Sequence, residues 1–222
     1  MSFNVAIDGP AGAGKSTVAK AVAGKLNMIY VDTGAMYRAM ALHVLRNDVD
    51  PDDKSAVVES CSRADVTIRY EEGVQVVLLN GVNVNAFLRT EEVSRTTSVI
   101  SVIPEVREKM VDLQRSLAAS NDCVMDGRDI GTYVLPNAGL KIYLTADSAV
   151  RAKRRYDELA AKGEDCDLKK IQEDIEERDY RDMHREISPL RQAEDAVLVD
   201  TSKMSVDEVI EMVAGLCLER RG

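Results

Sequence analysis

The stretch IDGPAGAGKST, residues 7–17, decides the fold of this chain. Its Gly9, Gly14, Lys15 and Ser16 match the spacing G-x-x-x-x-G-K-[ST], and the match lies between an apolar strand-like run and a helical pattern. The N–H groups of so bare a backbone can converge on phosphate oxygens, and the following helix N-terminus adds a favourable dipole. A chance glycine turn would not need both flanking elements. The stretch therefore predicts a P-loop that holds a nucleoside triphosphate, with ATP expected.

Each residue type in this loop has a chemical use. The lysine supplies a positive charge to the β- and γ-phosphates, and the serine hydroxyl can ligate Mg²⁺. We therefore expect Mg²⁺ with ATP as the cofactor, and Ser16 as the metal ligand. The expected ATP contacts are Gly9, Pro10, Ala11, Gly12, Ala13, Gly14, Lys15, Ser16 and Thr17. The motif alone does not separate a motor, a switch and a kinase.

Length and composition narrow the class of protein. The chain has 222 residues, enough for one large core, and a net charge of −9 argues against nucleic acid as a partner. The longest apolar runs, such as 74–79, are too short to cross a bilayer. The first residues lead directly into a strand with no basic leader, so we expect no signal peptide. Four cysteines without a CxxC pair indicate a reducing, cytoplasmic location.

Hydrophobic periodicity predicts an α/β fold. Strand-like runs that are apolar on both faces alternate with helical patterns, which indicates a parallel sheet covered by helices. The predicted strands are 3–8, 28–32, 123–126, 140–145 and 196–200, and the predicted helices are 16–26, 33–46, 103–120, 147–163, 167–185 and 205–219. Residues 66–84 differ, because a Glu-Gly and an Asn-Gly turn separate β-rich runs there. They predict a small antiparallel insert.

Absent motifs and placed arginines favour a small-molecule kinase. The chain has no N-K-x-D guanine motif, and CVMD (123–126) lacks the second acid of a motor ATPase. A kinase needs a second anion site and arginines that neutralise charge in the transition state. Arg38, Arg107 and Arg128 lie near predicted strand ends or on neighbouring helices. In an open parallel sheet, the carboxyl ends of the strands form the ligand site.

The helix predicted over 167–185 carries more arginines. Leu168, Ile171 and Ile175 predict an inward stripe, whose continuation is formed by Arg178, Asp182 and Arg185. Either the stripe enters a binding site, or the helix simply emerges into solvent with local ion pairs. The same two readings stay open for the helix before it, where Arg151, Arg154 and Arg155 form either a basic flap or a solvated face.

The sequence closely resembles the bacterial cytidylate kinase family from end to end. The resemblance rests on IDGPAGAGKST together with VDTGAMYR (31–38), VREKM (106–110), DGRDIGT (126–132) and ERDYRDMHR (177–185), in that order. It implies phosphoryl transfer from ATP to CMP or dCMP. It also implies a P-loop NTPase fold with a five-stranded parallel sheet. The implied core consists of residues 1–32, 103–150 and 186–222. Residues 33–102 would form the nucleoside-monophosphate-binding part, with the insert at about 60–100, and residues 151–185 a short lid with the arginine-rich helix.

The resemblance also implies roles for individual residues. Cytosine contacts fall on Ser98, Arg107 and Asp129, where the carboxylate would accept the exocyclic amine that uracil lacks. The acceptor-phosphate contacts fall on Arg38, Arg128 and Arg185, which with Lys15 form the expected catalytic set. The remaining acceptor contacts are Thr33, Tyr37, Arg178 and Asp182, and Arg154 is an expected ATP contact. Thr33 replaces a serine common in related sequences and keeps the hydroxyl.

The mechanism expected from these residues is alignment and charge neutralisation, without a nucleophilic side chain. Asp126 is expected to orient metal-bound water, whereas Asp8 fits that role and a structural role at a strand end equally well. Two other functions stay open. One is a P-loop kinase for UMP, dTMP or a phosphate-free metabolite, and the other is a non-catalytic nucleotide sensor or assembly partner. No dimer surface is legible, so a monomer is expected.

Overall fold

A five-stranded parallel sheet forms the centre of the computed structural model, which describes residues 2–221. The strands are β1 (Asn4–Asp8), β2 (Ile29–Asp32), β6 (Cys123–Gly127), β7 (Leu140–Thr145) and β8 (Val197–Asp200). Their order is β2-β6-β1-β7-β8, so β1 lies in the middle and β2 at an edge. The predicted α/β fold is confirmed, and each strand lies within a residue or two of its predicted position.

Helices cover both faces of this sheet, namely α1 (Lys15–Lys25), α2 (Thr33–Arg46), α5 (Pro104–Ser120) and α8 (Val206–Arg221). The helices α6 (Ser148–Ala161) and α7 (Leu168–His184) pack against each other. Val5 and Ile7 of β1 pack with α1 and α8 on one face, while Ala6 packs with α2 and α5 on the other. All three side chains are fully buried. A strand with no solvent face explains the uninterrupted apolar runs of the sequence.

The insert is a separate antiparallel sheet of three strands, β3 (Val66–Glu71), β4 (Val74–Leu79) and β5 (Val82–Asn83). Both connecting turns have two residues with positive φ, Glu72-Gly73 and Asn80-Gly81. Such turns match the right-handed twist of a hairpin, which is why Asn-Gly and related pairs predict them. The predicted antiparallel insert is confirmed.

Two helices of this region were missed by the periodicity argument. These are α3 (Lys54–Arg63) and α4 (Glu91–Ile100), so the last ten residues assigned to a β-rich insert are helical. Thr90 caps α4 by accepting the N–H of Val93 at 3.2 Å. Val93, Thr96 and Ile100 are its buried residues. A cap followed by that spacing predicts a helix, but a threonine in the stripe weakened the signal.

The inward stripe predicted for α7 is wrong at its start. Leu168 is 40% exposed, and the buried residue of α7 is instead Asp179, whose carboxylate lies 2.6 Å from the Arg151 guanidinium of α6. The helices α6 and α7 form a hairpin, and this ion pair lies at its inner end, where Arg151 also donates to the P-loop carbonyl of Ala11. Leu168 begins α7 at the opposite, outer end of the hairpin, where it stays partly in solvent.

Candidate active site

The P-loop connects β1 to α1 and passes tightly beneath β7. Gly9 has a φ of +149°, and a Cβ at this position would lie 1.9 Å from the carbonyl oxygen of Leu144. Only glycine therefore fits the first position of the motif. Gly14 precedes α1 with a φ of +90° and brings no side chain to cap that helix, which leaves its first N–H groups available to an anion.

Lys15 lies buried inside the loop that precedes it. Its Nζ donates to the carbonyl oxygen of Pro10 at 2.7 Å. Burial lowers the pKa of Lys15, and the nearby Arg128 lowers it further, whereas Asp126 and Asp8 oppose the shift. A phosphate group beside Nζ would restore the favourable environment of the charged form.

Ser16 and Asp126 form the part of the site that suits a divalent cation. The Ser16 hydroxyl donates to Asp126 Oδ2 at 2.8 Å, and Tyr30 donates to Oδ1 at 2.9 Å. Burial raises the pKa of Asp126, as does the charge of Asp32. Within residues 2–221 no cluster of three His, Cys, Asp or Glu side chains could hold a metal on its own. A hydroxyl paired with a carboxylate fits Mg²⁺ that takes its other ligands from phosphate and water.

One cleft of about 800 Å³ brings the P-loop and the predicted acceptor residues together. Ala11, Gly12, Lys15 and Ser16 line its donor side. The predicted acceptor residues line the rest, namely Thr33, Tyr37, Arg38, Ser98, Arg107, Arg128, Asp129, Arg178, Asp182 and Arg185. These residues come from five segments that are distant in sequence. Gly9, Pro10, Ala13, Gly14 and Thr17 are not among the residues that line this cleft, so their expected ATP contacts stay predictions.

Carboxylates hold the arginines of the cleft in place. Arg38 pairs with Asp32 at 3.1 Å, and Arg128 pairs with Asp182 at 2.8 Å. Burial by itself would raise the pKa of Asp182, but Arg128 and the neighbouring guanidinium groups hold it below its usual value. In each pair the carboxylate compensates the charge of a partly buried guanidinium group.

Two of the three residues expected to contact cytosine lie at the buried end of the cleft, whereas the third, Ser98, lines it with an exposed side chain. Arg107 and Asp129 form a buried ion pair there, and Arg185 lies 3.5 Å from the same carboxylate. The Arg107 guanidinium also lies over the rings of Tyr37 and Tyr133. A cation, a carboxylate and aromatic faces can together recognise a planar base with both donors and acceptors.

Asp8 has a structural role in this model. Its carboxylate accepts the backbone N–H groups of Ile130 and Gly131 at 2.8 and 2.7 Å. Burial raises its pKa to about 6, although these two hydrogen bonds act in the opposite direction. Asp8 thus fixes the short π-helix (Ile130–Val134) next to Asp129, and of the two readings left open by the sequence the geometry favours the structural one.

The three arginines of α6 do not share one basic face. Arg151 is buried, donates to the P-loop carbonyl of Ala11 at 2.9 Å and pairs with Asp179. Arg154 donates to the Thr201 carbonyl at 2.8 Å, behind the cleft lining, so its ATP contact remains a prediction. Arg155 pairs with Glu158 at 2.8 Å and does line the cleft. Of the three, only Arg155 lines the cleft, and the basic-flap reading stays a prediction.

Other cleft residues escaped the sequence reasoning. Arg89, just before α4, lines the cleft with an exposed side chain. Tyr180 and His184 of α7 also line it, and their rings stack with centroids 4.0 Å apart. The sequence could have predicted the contact between Tyr180 and His184, because aromatic residues four positions apart lie on one face of a helix. Arg89 lies between two elements, where periodicity gives no information.

A P-loop that faces an arginine-lined pocket across one cleft is the arrangement of a P-loop small-molecule phosphotransferase. A family model described as cytidylate kinase matches residues 5–218. A cytidylate kinase of Caldicellulosiruptor bescii is 50% identical over 214 residues, covering 96% of this chain and 95% of the relative. One of Lactobacillus gasseri is 48% identical and covers 99% and 95%. The chain belongs to the cytidylate kinase family.

Solved structures of more distant proteins share the fold. An uncharacterised protein of Eubacterium ventriosum superposes with a TM-score of 0.54 at 12% identity, covering 97% of this chain and 98% of that one. A gluconokinase of Sinorhizobium meliloti gives 0.50 at 11% identity, covering 98% and 92%. At such identities the likeness concerns the fold alone. Within the described residues, no helix combines the length and the apolar character needed to span a bilayer.

Proposed function

We propose that this protein transfers the γ-phosphoryl group of ATP to CMP and dCMP, which gives ADP and CDP or dCDP. The observation that carries the proposal is the shared cleft, in which Lys15 and the P-loop face Arg38, Arg128 and Arg185. Three arginines opposite the donor loop suit an anionic acceptor, and the phosphate of a nucleoside monophosphate fits them. The relatives named above, at 48–50% identity, support the same reaction.

In the proposed mechanism the side chains align two anions and neutralise their charge. Arg38, Arg128 and Arg185 bind the CMP phosphate and direct one of its oxygens at the γ-phosphorus. As that P–O bond forms, the bond to the bridging oxygen of ADP breaks, and Lys15 with the loop N–H groups stabilises the charge. The acceptor oxygen is already anionic, so no side chain has to act as a general base.

Mg²⁺ fits this site with ATP. We infer that Ser16 and Asp126 hold it, directly or through water, since their oxygens are already in contact at 2.8 Å. When bound, the ion would screen the charge of the β- and γ-phosphates. Tyr30 keeps the Asp126 carboxylate oriented through its hydroxyl.

Base recognition falls to Arg107, Asp129 and Ser98 in this proposal. Asp129 accepts the exocyclic amine of cytosine, while Arg107 donates to the ring nitrogen and carbonyl. Uracil would present a carbonyl to Asp129, which is repulsive. Arg178 and Asp182 take the ribose, and Thr33 and Tyr37 complete the pocket. The Thr33 hydroxyl donates to the Asp126 carbonyl at 2.7 Å, so its contribution is to shape the pocket.

We also propose the division of labour within the chain. Residues 33–102 form the nucleoside-monophosphate-binding part, 151–185 the lid with its arginine-rich helix, and the rest the core. Closure of the outer parts would exclude water and limit ATP hydrolysis. A monomer in the cytoplasm is part of the proposal, and the free thiols of Cys61, Cys123 and Cys217 agree with a reducing compartment.

A coupled assay of ADP release tests the function directly. Purified protein is given ATP and Mg²⁺ with CMP, dCMP, UMP, AMP or shikimate as the acceptor. We expect the largest kcat/KM for CMP or dCMP. A preference for UMP or shikimate would replace the proposed acceptor. ATP binding without ADP release on any acceptor would favour a nucleotide sensor.

A further inference from the structure

The insert is attached to the catalytic sheet by two side chains that act as substitutes for a strand. The strand β2 is an edge strand, so one row of its backbone groups has no neighbouring strand. Gln75 of β4 accepts the N–H of Asp32 at 2.8 Å and donates to the Asp32 carbonyl at 3.3 Å. Tyr70 of β3 donates to the carbonyl of Tyr30 at 3.0 Å. Residues 30 and 32 face the same edge because strand geometry repeats every two residues.

Gln75 is itself held firmly within the insert. Its side chain is almost fully buried. Behind it, Asn85 donates to the backbone carbonyl of Gln75 at 3.0 Å and accepts the N–H of Val77 at 3.0 Å. The glutamine amide therefore has little freedom to leave Asp32, and its two bonds fix both polar groups of one peptide residue.

Asp32 connects this contact to the acceptor site. Its carboxylate caps α2 by accepting the N–H of Ala35 at 2.8 Å, and it also pairs with Arg38 at 3.1 Å. The Arg38 Nε is buried without a hydrogen-bond partner among the described residues, so the position of this guanidinium depends mainly on Asp32. Tyr70, by contrast, donates its hydrogen bond to the carbonyl of Tyr30, and within the part of the chain that the structure describes it makes no side-chain hydrogen bond to Asp32 or Arg38.

We propose that Gln75 is a positioning residue for the acceptor phosphate, because its side-chain amide fixes Asp32 and through it Arg38. This inference rests on the proposed function, and it adds a residue of the insert that neither touches substrate nor carries charge. It follows that the insert contributes to CMP binding through the edge of β2, and that the effect travels through Asp32 alone.

Two variants separate positioning from mere attachment of the insert. Gln75→Met keeps the volume of the side chain but loses both bonds to Asp32, whereas Tyr70→Phe loses the other bond to β2. We expect Gln75→Met to raise the KM for CMP by about tenfold, with the KM for ATP within about twofold of wild type. Tyr70→Phe should leave both values within about twofold. Thermal melting of both variants shows whether either loses its fold.

Equal changes in the two variants, or an unchanged KM for CMP in Gln75→Met, would overturn the proposal. Amide hydrogen exchange gives a readout that does not depend on activity. The N–H of Asp32 should exchange faster in Gln75→Met than in wild type, and it should stay protected in Tyr70→Phe. If wild type does not phosphorylate CMP, the proposed function fails, while the exchange result still decides whether Gln75 fixes Asp32.

Discussion

Arg107 of α5 and Asp129 of the loop after β6 form an ion pair at the deep end of the cleft, with side chains only 5% and 9% exposed. Because both charges are shielded from water, each is the other's main polar partner. A ligand can bind between them only if it replaces the hydrogen bond that each group loses. Cytosine can do this, since its amine donates where the guanidinium did and its carbonyl and ring nitrogen accept from Arg107. In the proposed function, the pair therefore links the stability of two buried charges to base recognition.

Asp129→Asn tests that link. The amide keeps the shape of the side chain but can present either a donor or an acceptor to the base. We expect the ratio of kcat/KM for CMP over UMP to fall by about tenfold or more, equivalent to about 1.4 kcal/mol. A steady-state comparison of the two acceptors measures it. An unchanged ratio would remove Asp129 from base recognition.

Lys15→Met should abolish most of the turnover. The variant removes the buried charge opposite the β- and γ-phosphates, and we expect kcat to fall by a factor on the order of 10² or more. Lys20→Met on the exposed side of the same helix is the matched control and should remain active. ADP release and thermal melting are measured for both. Near-normal turnover in Lys15→Met would refute the role of the P-loop.

Arg185→Ala should likewise lose activity by a factor on the order of 10² or more, because a preorganised cation disappears from the acceptor phosphate. Arg185 now lies 3.5 Å from Asp129 and donates to the Ser188 carbonyl. The exposed Arg191, a few residues further along, provides the control Arg191→Ala. If both variants keep the wild-type rate, the end of α7 is only a solvated helix end.

Asp179→Asn should destabilise the protein, because it leaves Arg151 buried without its counter-charge. Their side chains are 13% and 6% exposed, and breaking such a pair costs about 3 kcal/mol. Asp157→Asn removes the exposed i, i+4 partner of Lys153 on the same hairpin and should cost less than about 0.5 kcal/mol. Urea unfolding measures both. Equal decreases in unfolding free energy for the two variants would show that the buried Arg151–Asp179 pair does not stabilise the fold more than an exposed pair does.

Asp8 should make stability fall as the pH rises through the range from about 4 to 6. Its folded-state pKa is raised to about 6 from 3.8, so the folded protein binds this proton more tightly than the unfolded chain does. The resulting stabilisation is present below pH 4 and is lost above pH 6, about 3 kcal/mol for a shift of about two units. Asp8→Asn should lack this contribution. Parallel plots of unfolding free energy against pH for the two proteins would contradict the assignment.

Sequence patterns predicted those elements that depend only on residues close together in the chain. The P-loop, the apolar strands and the helix 33–46 depend on neighbouring residues, and helix 33–46 forms with the predicted bounds. The arginines of the acceptor site could be named in advance because the family motifs VDTGAMYR, DGRDIGT and ERDYRDMHR contain them. The helices α3 and α4 were missed, since their stripes are short and include polar residues.

The sequence by itself determined the fold class, the donor loop and the sign of charge that the acceptor site needs. Only the tertiary structure decided which groups meet, because the partners lie far apart in the chain. Arg107 and Asp129 are 22 residues apart, Asp32 and Gln75 are 43, and Asp8 and Ile130 are 122. Periodicity indicates which face of an element is buried, but the pairing of buried polar groups depends on how the elements pack, and that is a property of the whole fold.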